Sequence, residues 1–564
     1  MTLDKRRTRF ALGGIALGAL ALRVWGLDFG LPLWSNYYIR PDESLIVEAA
    51  LRVGQDPRFY VYPALMSWVS GVGFAAYHAV AALADPSVPG SLAAHAARSV
   101  DGYFMLARLV SAVAGAAVVF PVFTLAAGLG SASAGLMASA LVAAAPLAVR
   151  DAHFGVTDTL MTTLAACALA RTAALSDAAR RTRALLVVGL LAGLTVGTKY
   201  TGVFFLPAIA AGVWVSATGR AWRDLALAGL AAAGVFVVIN PYAVLHLGDL
   251  LAIARMLTDD VFHRQGASGV WTPLVGLANM WRPLRHGPGL DAGSLLALLG
   301  MAAVVWRRTA MVPTVVTVMA VAGMALPLFL GQVVVSRYVL PLVPLVAVFA
   351  AVALSAPPAR GLRRAAMLAG VALVAASAAE AAWLDRILSR DDTRTLAGRW
   401  MAATLPPGCT ITYWGPPETE PQLRETVSSI DRRIAFAMQT YGPESGEIVS
   451  RLYRLARSGV AASGPRFEVF RNRPPDAGRE PSCAAVVTAG YPGWSAPEVA
   501  SAELVAPAAG APTEWASFDP FTGHWSSAPV ESFDAFFVPL DFLNRVERPG
   551  PVIDVVVYRI GSAP

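Results

Sequence analysis

The sequence predicts an α-helical polytopic membrane protein of about eleven transmembrane helices, with juxtamembrane helices at the outer face and a small C-terminal α/β soluble domain. Three observations lead there. The 564 residues are 56% hydrophobic and only 15% charged, with a mean hydropathy of +0.54, outside the balance of soluble chains. Apolar runs able to cross a hydrocarbon core of ~30 Å recur between residues 10 and 384. From residue 385 onward Pro, Gly, Asp, Glu and Arg become frequent and no such run remains, which sets the expected domains at 1–384 and 385–564.

Basic residues cluster at Lys5 to Arg9, at Arg180, Arg181 and Arg183, at Arg220 and Arg223, at Arg307 and Arg308, and at Arg360, Arg363 and Arg364. Short clusters between apolar runs are topology signals, so the net charge of +7 gives no reason to expect nucleic acid as a partner. The positive-inside rule sends all of these clusters to the cytoplasm, and an even number of crossings must separate successive clusters. The first run, 10–27, follows Lys5, Arg6, Arg7 and Arg9 and is expected to be a retained span rather than a cleaved leader. The remaining spans are expected near 103–129, 135–149, 159–175, 185–198, 202–217, 225–239, 295–306, 311–330, 338–354 and 365–384. The run 62–84 is excluded, because counting it would leave Arg180 outside. Bracketed by Asp56 and Asp85 and interrupted by Gly71, Gly73 and His78, it reads as a helix or hairpin at the outer interface or packed on the bundle. An odd number of spans puts the C-terminus outside.

In the tail, strand-like runs at 410–414, 484–488 and 552–558 alternate with helical patterns at 392–404 and 447–457. Of three cysteines, Cys167 lies in an apolar run, whereas Cys409 and Cys483 both fall in the tail. The latter two form a disulfide if the tail faces an oxidising compartment.

Span parity sends the unusual polar groups to one face: Arg40-Pro41-Asp42-Glu43, the segment from Arg150 to Asp158 with Asp151 and His153, the link Thr198-Lys199-Tyr200-Thr201-Gly202, Asn240-Pro241-Tyr242 with His263 in the following loop, and Ser336-Arg337-Tyr338. Ionisable groups gathered at span ends point to a functional site. Asp42 and Glu43 open a helix-like stretch, 44–53, whose Leu45, Ile46, Ala49, Ala50 and Val53 are expected to face lipid. Acids there cap a helix N-terminus; the alternative is a general base, which a sugar transfer to a hydroxyl requires. Asp158 also stands where a cap belongs, but Asp151 and His153 lie close by. A histidine among carboxylates can ligate a divalent ion, and His263 could complete such a set, although the spacing matches no standard metal pattern. Lys199 and Arg337 break the positive-inside pattern. Each either reaches the headgroups or pairs with Asp42, Asp158 or Glu43, or it holds a phosphate that becomes a leaving group.

At Pro41-Asp42-Glu43, Tyr62-Pro63-Ala64-Leu65, His153-Phe154 through Asp158, Gly197 to Gly202 and Arg337 to Pro344, the chain resembles the bacterial protein O-mannosyltransferase and lipid A aminoarabinose transferase families of the C-type glycosyltransferase superfamily. That resemblance spans residues 10–384. It implies an inverting transfer of a sugar from a polyprenyl-phosphate donor to a hydroxyl on glycan, lipid or protein, outside the cytoplasm and, for the bacterial families, at the inner membrane. It makes Asp42 the base and gives Asp158 an assisting role. Glu43, Arg337, Lys199, Tyr200, His153, Tyr62 and His263 are the candidate substrate contacts. A divalent metal is a candidate cofactor for which the motifs name no ligand. The sequence differs from the family where a frequent Pro-Pro is replaced by Tyr62-Pro63. The competing class is a transporter or flippase of a lipid-linked or anionic substrate, which should show inverted repeats and broken helices at mid-membrane. Neither is found in the sequence.

Overall fold

The computed structural model describes residues 5–32, 41–58, 60–175, 180–262, 272–307, 310–331, 335–458, 464–475, 483–491, 512–522, 538 and 540–559. Among them, seven helices are long and apolar enough to cross a membrane, and shorter apolar helices occupy Ala132–Ala144 and Tyr200–Val215. Run 62–84 becomes one helix, Leu65–Ala84, rather than a hairpin, and by length and composition alone it is among the seven.

The chain divides into two compact units. The first comprises Met1–Trp25, Tyr60–Trp68 and Arg108–Asp385; the second comprises Gly26–Phe59, Val69–Ala107 and Arg386–Pro564. The break at Asp385 lies one residue beyond the expected boundary, but two N-terminal segments belong with the tail. No hydrophobicity pattern reveals that membership, because it depends on which side chains meet.

The first unit is a helical bundle whose centre is built from small residues. Helices Arg181–Val196 and Ala221–Ile239 approach closely at Gly189 and Gly193: a Cβ at either position would lie 2.4–2.5 Å from the carbonyl oxygen of Ala228 or Ala232. This is the small-residue packing that lets helix backbones meet where burial in lipid gives no hydrophobic drive. Helix Val343–Ser355 is buried on nearly every side, as a helix apolar all round must be.

The second unit contains a five-stranded sheet of order β2-β1-β3-β5-β4, with β1 Thr410–Trp414, β2 Glu468–Arg471, β3 Cys483–Gly490, β4 Glu514–Phe518 and β5 Val552–Arg559. β1 runs parallel to β2 and β3, while β5 pairs antiparallel with β3 and β4. Three of these strands coincide with the runs read from alternation. Helix Thr393–Thr404 covers one face through Ala397 and Met401, which pack with Ile411, Val487 and Val555. Between β1 and β2 lies the helical stretch Val427–Ser458, broken at Gly442, where φ is +76°, a backbone that glycine adopts without steric cost. The register Thr410↔Ala484 sets Cys409 beside Cys483, and the two form a disulfide.

Helix Pro41–Leu51 departs from the sequence reading. Ile46 and Ala50, expected to face lipid, are buried within protein. Val47 and Ala50 join Phe74, Tyr103 and Phe104 with Ile430, Leu452 and Tyr453 from the tail in one core. An apolar stripe looks the same whether lipid or another helix covers it, so the pattern could not distinguish the two.

Candidate functional site

Two groups of candidate residues are built locally, one in each unit. In the first unit the organising residue is Tyr338, on the 3₁₀ turn Ser336–Leu342. The ammonium of Lys199 lies 5.1 Å from the Tyr338 ring centroid, and the guanidinium of Arg337 lies 5.7 Å from it. Both distances suit cation–π attraction. Lys199 Nζ also donates to Asp158 Oδ1 at 2.6 Å, with both side chains nearly buried. Asp158 sits in the first turn of helix Thr157–Ala173, where backbone N–H groups favour a carboxylate. Asp158, Lys199 and Arg337, three residues the sequence singled out from distant segments, thus share one neighbourhood.

The surrounding backbone is tied to it. Arg150 Nη2 donates to Ser336 Oγ at 3.2 Å, and Arg150 pairs with Asp151 at 3.0 Å, joining the turn that bears Arg337 to the helix before Asp158. Tyr200 Oη donates to the carbonyl of Tyr60 at 2.8 Å. The amide of Ala64 donates to Asn240 Oδ1 at 2.7 Å, and that of Leu65 to the carbonyl of Gly197 at 3.0 Å. The half-buried Tyr62 therefore lies in a segment stitched to the Lys199-Tyr200 link and to Asn240. Tyr60 Oη is 2.9 Å from His246 Nδ1, with the two rings stacked. Arg150, Asn240 and Tyr338 belong to the segments gathered at one face in the sequence, but no role was assigned to them there. That membership was their only signal.

His153 is fully buried. Its Nδ1 lies 2.8 Å from the carbonyl oxygen of Val149 and its Nε2 3.0 Å from that of Trp25. Asp385 is buried beside it, with Oδ1 3.6 Å from Nε2. Both ring nitrogens face protein oxygens, so neither is presented to a metal ion. Among the described residues no group of three or more His, Cys, Asp or Glu side chains is arranged to hold one. Among the described residues, His153, Asp151 and Asp158 therefore do not form the divalent-ion site considered from the sequence. His263 lies outside the described residues.

In the second unit, helix Pro41–Leu51 carries Asp42 and Glu43 in its first turn. Glu43 is buried and Asp42 half-buried. Glu48, one turn further, is held by Arg451 of the tail: Nη1 lies 3.3 and 3.4 Å from its two carboxylate oxygens and 3.1 Å from the carbonyl of Pro57. Burial raises the Glu48 carboxyl above its ordinary range, against the pull of Arg451 and Arg52.

Residues 101–244 match the family described as Dolichyl-phosphate-mannose-protein mannosyltransferase. The chain is similar to C-type glycosyltransferases. Among solved structures, it is 14% identical to ArnT from Cupriavidus metallidurans bound to undecaprenyl phosphate, with 98% of this chain and 99% of that one covered at a TM-score of 0.48. It is 14% identical to the archaeal oligosaccharyltransferase AglB from Archaeoglobus fulgidus in complex with an inhibitory peptide and a dolichol-phosphate, with 86% and 69% covered at a TM-score of 0.48. For the apo form of the Archaeoglobus fulgidus oligosaccharyltransferase the identity is 15% and the TM-score 0.46, and the 73% of this chain that aligns spans 63% of that one. No curated protein matches the chain.

Proposed function

We propose that this protein is a membrane glycosyltransferase that moves a sugar, with inversion, from a polyprenyl-phosphate-linked donor to a hydroxyl acceptor outside the cytoplasm. The observation that carries the reading is the convergence of Lys199 and Arg337 on Tyr338 with Asp158 bound to Lys199. A cation at a half-buried position is what a departing phosphate needs, since charge develops on its oxygen as the anomeric bond breaks. Asp158 neutralises and fixes Lys199, so Arg337 is assigned the phosphate, where a planar guanidinium can bond two oxygens at once. Tyr200 and Tyr62 lie on segments tied to the same link and are assigned to substrate, as is Glu43 beside Asp42.

Asp42 is assigned as the general base. A carboxylate accepts the acceptor's hydroxyl proton as oxygen attacks the anomeric carbon, and the phosphate leaves with the bonding electrons. The extracytoplasmic side is supported by the Cys409–Cys483 disulfide, a bond that persists in oxidising compartments. The test is transfer by purified protein supplied with a polyprenyl-phosphate-linked sugar and an acceptor extract. Asp42→Asn should abolish turnover while leaving thermal unfolding unchanged, and full activity in that variant would remove the base.

A further inference from the structure

The second unit holds a cluster that the proposed transfer chemistry does not use. His78 lies on helix Leu65–Ala84, His95 on the short helix Leu92–Arg98, and Tyr103 on helix Asp101–Ala117. The two imidazoles meet through like atoms: Nδ1 of His78 is 3.3 Å from Nδ1 of His95. Tyr103 Oη lies 2.9 Å from that same His95 nitrogen. Tyr77 stacks on the His95 ring at 5.6 Å, and Tyr103 meets it edge-on at 5.7 Å. His95 and Tyr103 are buried, whereas His78 is half-buried.

In a neutral imidazole an unprotonated Nδ1 carries one lone pair, in the ring plane. Protonated, it carries a single hydrogen instead; in either tautomer two neighbours, the Tyr103 hydroxyl and His78 Nδ1, contest one lone pair or one N–H, which cannot serve both well. A bound cation removes the conflict. Two imidazole nitrogens held 2.0–2.1 Å from a tetrahedral ion stand about 3.3 Å apart, which is the separation found. The aromatic walls fix the His95 ring, so little freedom would be lost on binding.

We propose that His78 and His95 form a two-imidazole binding site for a divalent transition-metal ion, with solvent oxygens completing the shell and the Tyr103 hydroxyl donating to one of them. The ligands are nitrogens, so the ion is of the copper, nickel or zinc class rather than magnesium or calcium; the separation suits tetrahedral Zn²⁺, and Cu²⁺, highest in the affinity order, serves as the spectroscopic probe. Bound there, it pins the short helix Leu92–Arg98 to helix Leu65–Ala84.

The experiment titrates Cu²⁺ into purified full-length protein carrying no polyhistidine tag, with affinity followed by calorimetry and ligation by electron paramagnetic resonance. One ion per chain with nitrogen hyperfine structure is expected. His78→Ala and His95→Ala should each weaken binding at least tenfold, while His246→Ala leaves it unchanged. Should His95→Ala misfold, His78→Ala, at a half-exposed position, decides alone. Unchanged affinity in His78→Ala, or an ion lost with His246→Ala instead, overturns the proposal.

Discussion

The ion pair between Glu48 and Arg451 offers the sharpest test of how the tail region supports the helix that carries Asp42. Its side chains are 7% and 10% exposed, so Arg451→Met would leave a carboxylate nearly enclosed, with only Arg52 Nε, 3.9 Å away, still opposing its charge. Removing one partner of a fully buried pair costs about 3–5 kcal/mol. The residual exposure and Arg52 bring the expected loss down to about 2 kcal/mol, or roughly 4–8 °C in unfolding temperature for a unit of this size. Glu48→Gln combined with Arg451→Met should recover most of that loss, because no charge is then left unpaired.

The pH dependence has a definite sign. The Glu48 carboxyl lies above its ordinary range in the folded protein, and burial is the main cause. The folded state therefore binds the proton more tightly than the unfolded chain, and Glu48 costs stability as pH rises from about 4.3. Without Arg451 the folded value moves further up, so the variant's deficit should shrink as pH falls from 7 towards 5. Thermal unfolding in detergent from pH 5 to 8 measures this, and transfer activity should fall with the helix that bears Asp42. A deficit that is independent of pH, or a double variant as unstable as Arg451→Met, would refute the reasoning.

Arg337→Ala should raise the donor KM at least tenfold with a smaller effect on acceptor KM; donor kinetics like those of the wild type would make Arg337 structural. Asp158→Asn and Lys199→Met should be strongly non-additive in steady-state assays, with a coupling of about 1–3 kcal/mol, since their side chains bond each other at 2.6 Å; additive losses would place them in separate roles. Cys409→Ser with Cys483→Ser opens a loop of 74 residues, for which chain entropy gives a loss of about 4 kcal/mol. Limited proteolysis should then cut the tail faster than the bundle; equal protection would show that the sheet holds without the bond.

Hydropathy and charge placement made the helical bundle legible in the sequence, because a membrane imposes length and composition on every span. Alternation likewise disclosed β1, β3 and β5, whose buried faces repeat every second residue. Lys199 and Arg337 stood out as cations where topology expects none. The sequence did not show that Tyr338 gathers them, since a cation–π contact needs two distant backbones at one distance. It also did not show that His153 has both nitrogens on carbonyls, because a histidine beside carboxylates reads the same whether it serves substrate or backbone.

By itself, then, the sequence determined which segments are long and apolar enough to cross a membrane and that no such run remains beyond residue 385. Only the tertiary structure decided which residues meet. It placed Gly26–Phe59 and Val69–Ala107 with the tail, and it turned Ile46 and Ala50 into the protein's own core. The physical reason is that solvent preference is a property of each side chain and its near neighbours along the chain, whereas partnership is fixed by shape and packing between segments hundreds of residues apart.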